Sequence, residues 1–346
     1  MTLSNEPSKV PIKNLYYMLV YAWDHPYEKN LISVYEEDEK DLINLLSKVL
    51  IGKVQSLIKR GFYKEYMEEE EESDIIRGKI LFQKSINTFS YKRGRMHIQH
   101  EEMSTDILHN QIIKATLFTL LTHVQLERKY KEEIKGITAY FTRVSLIKLN
   151  NKLFQEIRIH RNNQHYKFIL QICRFLYETS FLNEGERDIQ FHDLNREHYQ
   201  LARLFESFVK NFYRKEITGS NARSESLYWP AEGDNISSLP KMKTDISLEV
   251  GNKKFIIDTK FYKDTFSTQW YKETVRSSHL YQLFAYLKND EYYTGNKATG
   301  ILLYPRIDKD ITWIYHIHEF EIIICTLDLM KPWKKIHERL LDVINK

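Results

Sequence analysis

The chain contains only two cysteines, Cys173 and Cys325, which lie far apart in mostly apolar surroundings. So few cysteines argue against a disulfide framework or a cysteine-rich zinc site, and they predict buried thiols in a reducing compartment. No stretch approaches the ~18 consecutive apolar residues of a membrane span, and no apolar segment follows a basic start at the N-terminus. The sequence therefore predicts a cytoplasmic protein with no membrane association.

Glycine and proline are also scarce, at 11 and 7 of 346 residues. With 42% hydrophobic and 28% charged residues, the chain can bury real cores, and its length favours two domains. The net charge of +4 is too small to identify a nucleic-acid-binding protein by itself. The sequence has no Gly-x-x-x-x-Gly-Lys-Ser/Thr motif, so we expect no nucleotide to be bound by this chain itself.

The pattern of apolar residues divides the chain into three parts. Residues 1–165 mix helix-like and strand-like segments, which predicts an α+β N-terminal domain. A helical pattern followed by loop-forming residues predicts a helical connector over 166–195. Alternating strands and helices then predict an α/β domain over 196–346.

Within the first part, apolar residues recur at helical spacing in two places, and two further segments have strand character. Helices are predicted over 41–58 and 106–126, and strands over 75–82 and 91–100. The acidic run 68–72 is interpreted as a solvated loop, with a docking role as the alternative. His97 and His100 are three apart on a strand and should face opposite sides, so a shared metal ion is not expected.

A predicted hairpin carries the charged residues of most interest. The segment 244–260 contains two strand-like runs joined at Gly251-Asn252, a pair that suits a two-residue turn. Counting outward from that turn places Asp245 opposite Asp258, on the face from which Lys260 also projects. The sequence thus brings two carboxylates and one ammonium group together.

Opposed carboxylates have Cβ atoms only ~5 Å apart and destabilise a sheet unless something neutralises them. Two oxygen ligands beside a lysine suit Mg²⁺, and phosphodiester hydrolysis is the natural use of such a site. Alternatively, Asp245 and Lys260 are surface charges at strand ends and Asp258 pairs with a nearby base. Asp258 directly follows the apolar run 255–257, where an unpaired charge would be costly, and this favours the metal site.

The same residues resemble the PD-(D/E)xK nuclease motif, with Thr244 where the motif usually has proline. That resemblance implies a restriction-endonuclease-like α/β domain, with a mixed central sheet flanked by helices. Downstream, Gln282 and Tyr286 are four apart on a predicted helix and should project together. They resemble the Q-x-x-x-Y signature of the RecB-like branch.

Further segments resemble one family, McrC, and the resemblance covers nearly the whole chain. They are Val10-Pro11-Ile12-Lys13-Asn14-Leu15-Tyr16-Tyr17-Met18-Leu19-Val20-Tyr21-Ala22-Trp23, Ile76-Arg77-Gly78-Lys79-Ile80, Leu280-Tyr281-Gln282-Leu283 and Leu302-Leu303-Tyr304-Pro305. McrC is the endonuclease subunit of the McrBC restriction system, which attacks DNA bearing modified cytosine. It works with McrB, a GTP-hydrolysing AAA+ ring, so family membership implies that partner.

The resemblance also assigns expected roles to individual residues. The catalytic residues would be Asp245, Asp258 and Lys260, the Mg²⁺ ligands Asp245 and Asp258, and the contacts to the DNA strand Gln282 and Tyr286. The front domain would dock on the ring and stimulate its nucleotide hydrolysis. Glu206 lies on the helix where many such nucleases place an extra acidic ligand, although a solvated glutamate at the helix edge is the alternative. Lys263 follows the proposed metal site in a basic and aromatic segment, which favours a DNA contact.

Two other functions remain open at the level of sequence. One is a non-catalytic activator subunit of an NTPase ring with a vestigial nuclease fold, which the intact Asp245, Asp258 and Lys260 argue against. The other is a DNA repair exonuclease, which would share the metal site but require strand ends. The leading expectation is a Mg²⁺-dependent endonuclease subunit.

Overall fold

A computed structural model describes residues 10–31, 42–181, 190–261, 275–306 and 311–345. The chain divides into two compact units. The discontinuous unit consists of Met1–Leu42 and Asp188–Lys346, and the inserted unit consists of Ile43–Arg187. Among the described residues, no helix combines the length and apolar character needed to cross a bilayer.

Helix α1 (Ile12–Ala22) belongs to the discontinuous unit, which corrects the expectation that residues 1–165 form one domain. The physical reason is the apolar face of the helix, where the Tyr21 ring lies 5.4 Å from the Phe212 ring. In addition, Asn211 donates from Nδ2 to the carbonyls of the last two residues of α1, each at 3.0 Å. These carbonyls have no partner within the helix, so the asparagine completes its C-terminal end.

The inserted unit combines helices with a three-stranded antiparallel sheet of order β1-β3-β2. Its elements are α2 (Leu42–Arg60), β1 (Glu65–Ser73), β2 (Lys79–Ile80), α3 (Phe82–Asn87), β3 (Met96–Ser104), α4 (Leu108–Thr122), α5 (Arg128–Thr138), α6 (Asn151–Glu156) and α7 (Lys167–Leu176). Helices α2 and α4 confirm the two predicted helices. Gly61, with φ of 92°, follows α2 and takes the left-handed conformation that often ends a helix.

Several predictions for the inserted unit are wrong. The acidic run 68–72 lies within strand β1 and is not a loop, since basic side chains neutralise several of its glutamates, as Arg93 does for Glu72 at 2.8 Å. Only Lys79–Ile80 of the expected strand 75–82 is a strand, and the strand expected over 91–100 begins at Met96. Helix α7 is no connector, because its apolar side chains are buried within the inserted unit.

The discontinuous unit is built around a mixed six-stranded sheet of order β10-β11-β9-β8-β7-β4, beside a two-stranded pair β5-β6. Its elements after α1 are α8 (Gln190–Glu216), β4 (Asn221–Arg223), β5 (Ser226–Leu227), β6 (Met242–Lys243), β7 (Ile246–Val250), β8 (Lys253–Thr259), α9 (Ser277–Thr294), β9 (Thr299–Arg306), β10 (Thr312–Ile317), β11 (Phe320–Asp328) and α10 (Trp333–Ile344). Strands β8, β9 and β11 run parallel to one another, and the remaining pairs of the large sheet are antiparallel. The expected mixed sheet flanked by helices is confirmed.

Helix α9 packs closely on the centre of this sheet, and a glycine makes the close approach possible. A Cβ atom at Gly300 of β9 would lie 2.8 Å from Leu287 Cδ1 and 3.0 Å from Leu283 Cδ2. The buried cluster under α9 includes Ile256, Leu302 and Ile322. The helix is therefore fixed over β9 and over β8, the strand that carries Asp258 and that Lys260 follows. Cys173 and Cys325 are both free and buried, as expected.

Candidate functional site

The predicted hairpin forms with the predicted register. Strands β7 and β8 are antiparallel, Ile246 is opposite Ile257, and Gly251-Asn252 forms the two-residue turn. Gly251 has φ of 56°, in the left-handed region that such turns require and that glycine adopts without strain.

Asp245 lies one residue beyond the last pair of this ladder. Its Oδ2 accepts hydrogen bonds from the backbone N–H of Thr259 at 2.8 Å and from the Thr259 hydroxyl at 3.0 Å. The carboxylate therefore takes the place of a strand partner at the end of β8. The ladder stops before it would include Asp245 and Asp258, so the strict pairing expected from the sequence is corrected, although both carboxylates remain at the same end of the hairpin.

Asp258 is fully buried, at 0% exposed, on the side of the sheet that α9 covers. Its Oδ1 accepts a hydrogen bond from Lys260 Nζ at 2.9 Å. Its Oδ2 lies 2.7 Å from the same nitrogen but outside hydrogen-bond geometry, and it accepts no hydrogen bond from any described residue. Burial raises the pKa of Asp258 to about 7, with Lys260 opposing the rise and Asp245 and Glu206 reinforcing it.

A chain of hydrogen bonds fixes Lys260. Its Nζ donates to Gln282 Oε1 at 2.9 Å, and Gln282 Nε2 in turn donates to the Tyr286 hydroxyl at 2.7 Å. The Tyr286 hydroxyl donates to the carbonyl of Lys243 at 3.0 Å. Gln282 and Tyr286 thus project together from α9, as their spacing predicted.

The burial of Tyr286 corrects its expected role as a contact to DNA. The residue is only 6% exposed, so its ring offers no surface on which a nucleic-acid strand could lie. Its hydrogen bond instead holds Gln282 against Lys260. Both side chains are therefore placed to orient the ammonium group beside Asp258.

Glu206 lies on α8 close enough to the acidic pair for their charges to interact. Burial raises the pKa of Glu206, and Asp245 raises it further. The nearest cation is Lys210, with its Nζ 3.9 Å from Glu206 Oε1. The carboxylate is therefore half-buried beside Asp245, which differs from the fully solvated alternative. Lys263 lies outside the described residues.

His279 is a neighbour of Lys260 that the sequence did not reveal. Its Nδ1 and the Tyr304 hydroxyl are 2.8 Å apart, and the side chain is buried. Burial lowers the pKa of His279 to about 4, and the charges of Lys260 and Arg276 lower it further, so the ring is neutral at pH 7. Its spacing in the sequence could have indicated this role, because His279 lies three residues before Gln282 on α9 and therefore projects from a nearby face of the helix.

The residue types at this site are ones that suit a magnesium ion. Asp245, Asp258 and Glu206 carry carboxylate oxygens, the ligands that Mg²⁺ prefers. Burial is the main cause of the raised pKa of Asp258 and Glu206, and the charge of Asp245 adds to it, so a cation bound there would favour the ionised carboxylates. The Asp258 Oδ2 atom, buried and without a hydrogen-bond donor among the described residues, is the clearest ligand candidate.

Comparison with known proteins places the chain in a family. The family model described as "McrBC 5-methylcytosine restriction system component" matches residues 4–305, so the chain belongs to this family, and the resemblance noted in the sequence is confirmed. It is 30% identical over 344 residues to the "Type IV methyl-directed restriction enzyme EcoKMcrBC" of Escherichia coli (strain K12), covering 99% of both chains. It also shares its fold with a chain of the refined half-complex from a tetradecameric assembly of Thermococcus gammatolerans McrB AAA+ hexamers with bound McrC. The TM-score is 0.61 at 16% identity, over 97% of this chain and 75% of that chain.

Proposed function

We propose that this chain is the Mg²⁺-dependent endonuclease subunit of a restriction system that attacks DNA containing methylcytosine. One observation carries the proposal, namely the ion pair of Lys260 with the fully buried carboxylate of Asp258, next to the residue whose backbone N–H donates to Asp245. Acidic residues beside an ordered lysine at one end of a hairpin resemble the arrangement of a PD-(D/E)xK nuclease, which supports the proposal. The membership of the McrBC family and the restriction-enzyme relative support the same reading.

The residues of the site would divide the work as follows. Asp245 and Asp258, with Glu206 as a third candidate, would hold the metal ion, which when bound supplies an activated water and polarises the phosphoryl oxygen. Lys260, held by Gln282, is positioned to meet the negative charge that grows on the phosphate in the transition state. In the metal-free site Asp258 has a pKa of about 7, so at neutral pH it would release a proton as a cation binds.

We further propose that the chain acts with a GTP-hydrolysing AAA+ ring of the McrB type and stimulates its GTPase. The support is the shared fold with a chain of the Thermococcus gammatolerans assembly of McrB AAA+ hexamers with bound McrC. The inserted unit, which the candidate site does not use, is the part of the chain we assign to docking on that ring.

The test is cleavage of a circular, cytosine-methylated plasmid by the chain together with its AAA+ partner, GTP and Mg²⁺. We expect Asp258→Ala and Lys260→Met to abolish cutting while stimulation of the GTPase persists. A circular substrate also separates an endonuclease from an exonuclease, because only the former acts without strand ends.

The chain offers a matched control pair between the same strand, β8, and helix α9. Lys254 Nζ lies 2.7 Å from Oδ1 of the buried Asp290, just as Lys260 pairs with the buried Asp258. Asp290→Asn and Lys254→Met should cut DNA as the wild type does, provided that they fold. Normal cutting by both site variants would refute the catalytic assignment, and loss of GTPase stimulation with cutting retained would favour the activator function.

A further inference from the structure

The inserted unit carries a second cluster of ligand-type side chains, independent of the nuclease proposal. Glu69 of β1 is directly opposite His100 of β3 in the antiparallel register, and Glu102 is two residues further along β3 on the same face. One ligand atom from each of these three side chains lies within 4.8 Å of the others. A carboxylate, an imidazole and a second carboxylate therefore meet on one face of the sheet.

Glu69 differs from the other glutamates of the acidic run. Each of the others contacts a basic or amide side chain of its own: Glu68 with Gln99, Glu70 with Lys84, Glu71 with Arg77, and Glu72 with Arg93. Glu69 has no such partner among the described residues, and the groups nearest to it are those of the cluster. Its negative charge is thus directed at His100 and Glu102 and is uncompensated in the chain as described.

His100 supplies an independent indication of a ligand. It is only 9% exposed, yet neither of its ring nitrogens makes a hydrogen bond within the described part of the chain. Its Nε2 lies 3.5 Å from Glu102 Oε2, outside hydrogen-bond geometry, so the ring is aimed into the cluster. A buried polar group without a partner is costly, and such groups are rare in folded proteins unless an ion or water satisfies them.

Strand β2, on the other side of β3, is preceded by a glycine that leaves room for the His100 ring. Lys79 of β2 pairs with Gln99 of β3, so extending this register by one residue places Gly78 beside His100. Gly78 has φ of 70°. A Cβ atom there would clash with the Gln99 carbonyl oxygen and lie 3.0 Å from the Cα of His100. A side chain is thus excluded at the position next to the imidazole.

We propose that Glu69, His100 and Glu102 bind a divalent transition-metal ion of the Zn²⁺ class. Imidazole with carboxylates is a donor set that suits Zn²⁺, whereas Mg²⁺ prefers oxygen ligands alone, so this site and the nuclease site select different ions. Ligand bonds of ~2.0–2.2 Å place ligand atoms at most about 4.4 Å apart, so the two exposed glutamate side chains must move only slightly. The ion would bridge β1 and β3, while His97 lies on the opposite face and takes no part.

The experiment is a Zn²⁺ titration of the full chain against a chromophoric chelator, carried out in the Asp258→Asn background so that the nuclease site does not contribute. We expect about one equivalent of Zn²⁺ to bind, with a three-ligand protein set in X-ray absorption of one nitrogen and two oxygens. Glu69→Gln and His100→Gln should each weaken binding at least tenfold. Glu101→Gln, an exposed residue between two ligands but on the other face, should leave binding unchanged.

Several results would overturn the site. Binding that survives both Glu69→Gln and His100→Gln would locate the zinc elsewhere, and equal weakening by Glu101→Gln would indicate a general charge effect. Absence of Zn²⁺ binding would refute it outright. If His100→Gln fails to fold, the Glu69→Gln variant decides alone, because this exposed side chain makes no core contact. None of these outcomes depends on whether the chain cleaves DNA.

Discussion

Replacing Asp258 by asparagine should stabilise the metal-free protein at alkaline pH. The unfolded chain ionises this aspartate near its ordinary pKa of 3.8, whereas in the folded chain burial raises the pKa to about 7. The folded state therefore binds the proton more tightly, so the contribution of Asp258 to stability falls as the pH rises from about 4 to about 7 and stays low above that. Asparagine resembles the protonated acid and does not titrate.

The magnitude follows from the same pKa values. A tenfold change in proton affinity corresponds to about 1.4 kcal/mol, so raising the pKa from 3.8 to about 7 destabilises the ionised, folded form by about 4 kcal/mol. The Asp258→Asn variant should thus equal the wild type near pH 4 and exceed its free energy of unfolding by up to about 4 kcal/mol at pH 8. The substitution also removes the ion pair between Asp258 and Lys260. We still expect a higher free energy of unfolding, because Lys260 keeps its hydrogen bond to Gln282.

The assay is urea unfolding of the full chain in EDTA at several pH values between 4 and 8, comparing wild type, Asp258→Asn and the matched Asp290→Asn. The control removes a buried carboxylate that also pairs with a lysine. It should not stabilise, because Lys254 compensates the charge of Asp290, whereas the charges of Asp245 and Glu206 act against that of Asp258. If Asp258→Asn unfolds at the same or lower urea concentration than the wild type at pH 8, Asp258 is not a strained carboxylate and the reasoning fails.

Three further predictions follow from the same contacts. Adding Mg²⁺ at pH 8 should raise the unfolding midpoint of the wild type and not that of Asp258→Asn, and an equal rise in both would place the ion elsewhere. Gln282→Ala should slow plasmid cleavage about tenfold to hundredfold with little change in DNA affinity, because Lys260 loses its second anchor, and unchanged rates would remove the positioning role. Gly78→Ala should lower the free energy of unfolding of the inserted unit by about 1–3 kcal/mol in urea melts, given its positive φ and its clash with β3, whereas wild-type stability would show that the strand can shift.

The hairpin was predictable from sequence because its information is local. A glycine-asparagine turn and alternating apolar residues fix the register of β7 and β8, and that register brings Asp245 to the end of the hairpin where Asp258 and Lys260 lie. Helices α2 and α9 were equally accessible from the helical spacing of their apolar residues.

The errors concern contacts between distant parts of the sequence. Nothing in the acidic run indicates that Lys84 and Arg93 will neutralise it, so its strand could not be distinguished from a solvated loop. The role of Tyr286 likewise depends on a carbonyl of β6 that lies far away in the sequence. Spacing along a helix shows which side chains project together but not how deeply they are buried.

The assignment of the first helix has a consequence for the order of folding. Asn14 of α1 donates to the carbonyls of Leu329 at 2.8 Å and Lys331 at 2.9 Å, so the start of the chain is held by residues close to its end. The inserted unit is contiguous and can complete its own contacts while later residues are still being synthesised. The candidate site belongs to the unit that needs both ends of the chain. We therefore expect its carboxylates to reach their buried arrangement after the inserted unit has folded, when the packing that holds them is complete.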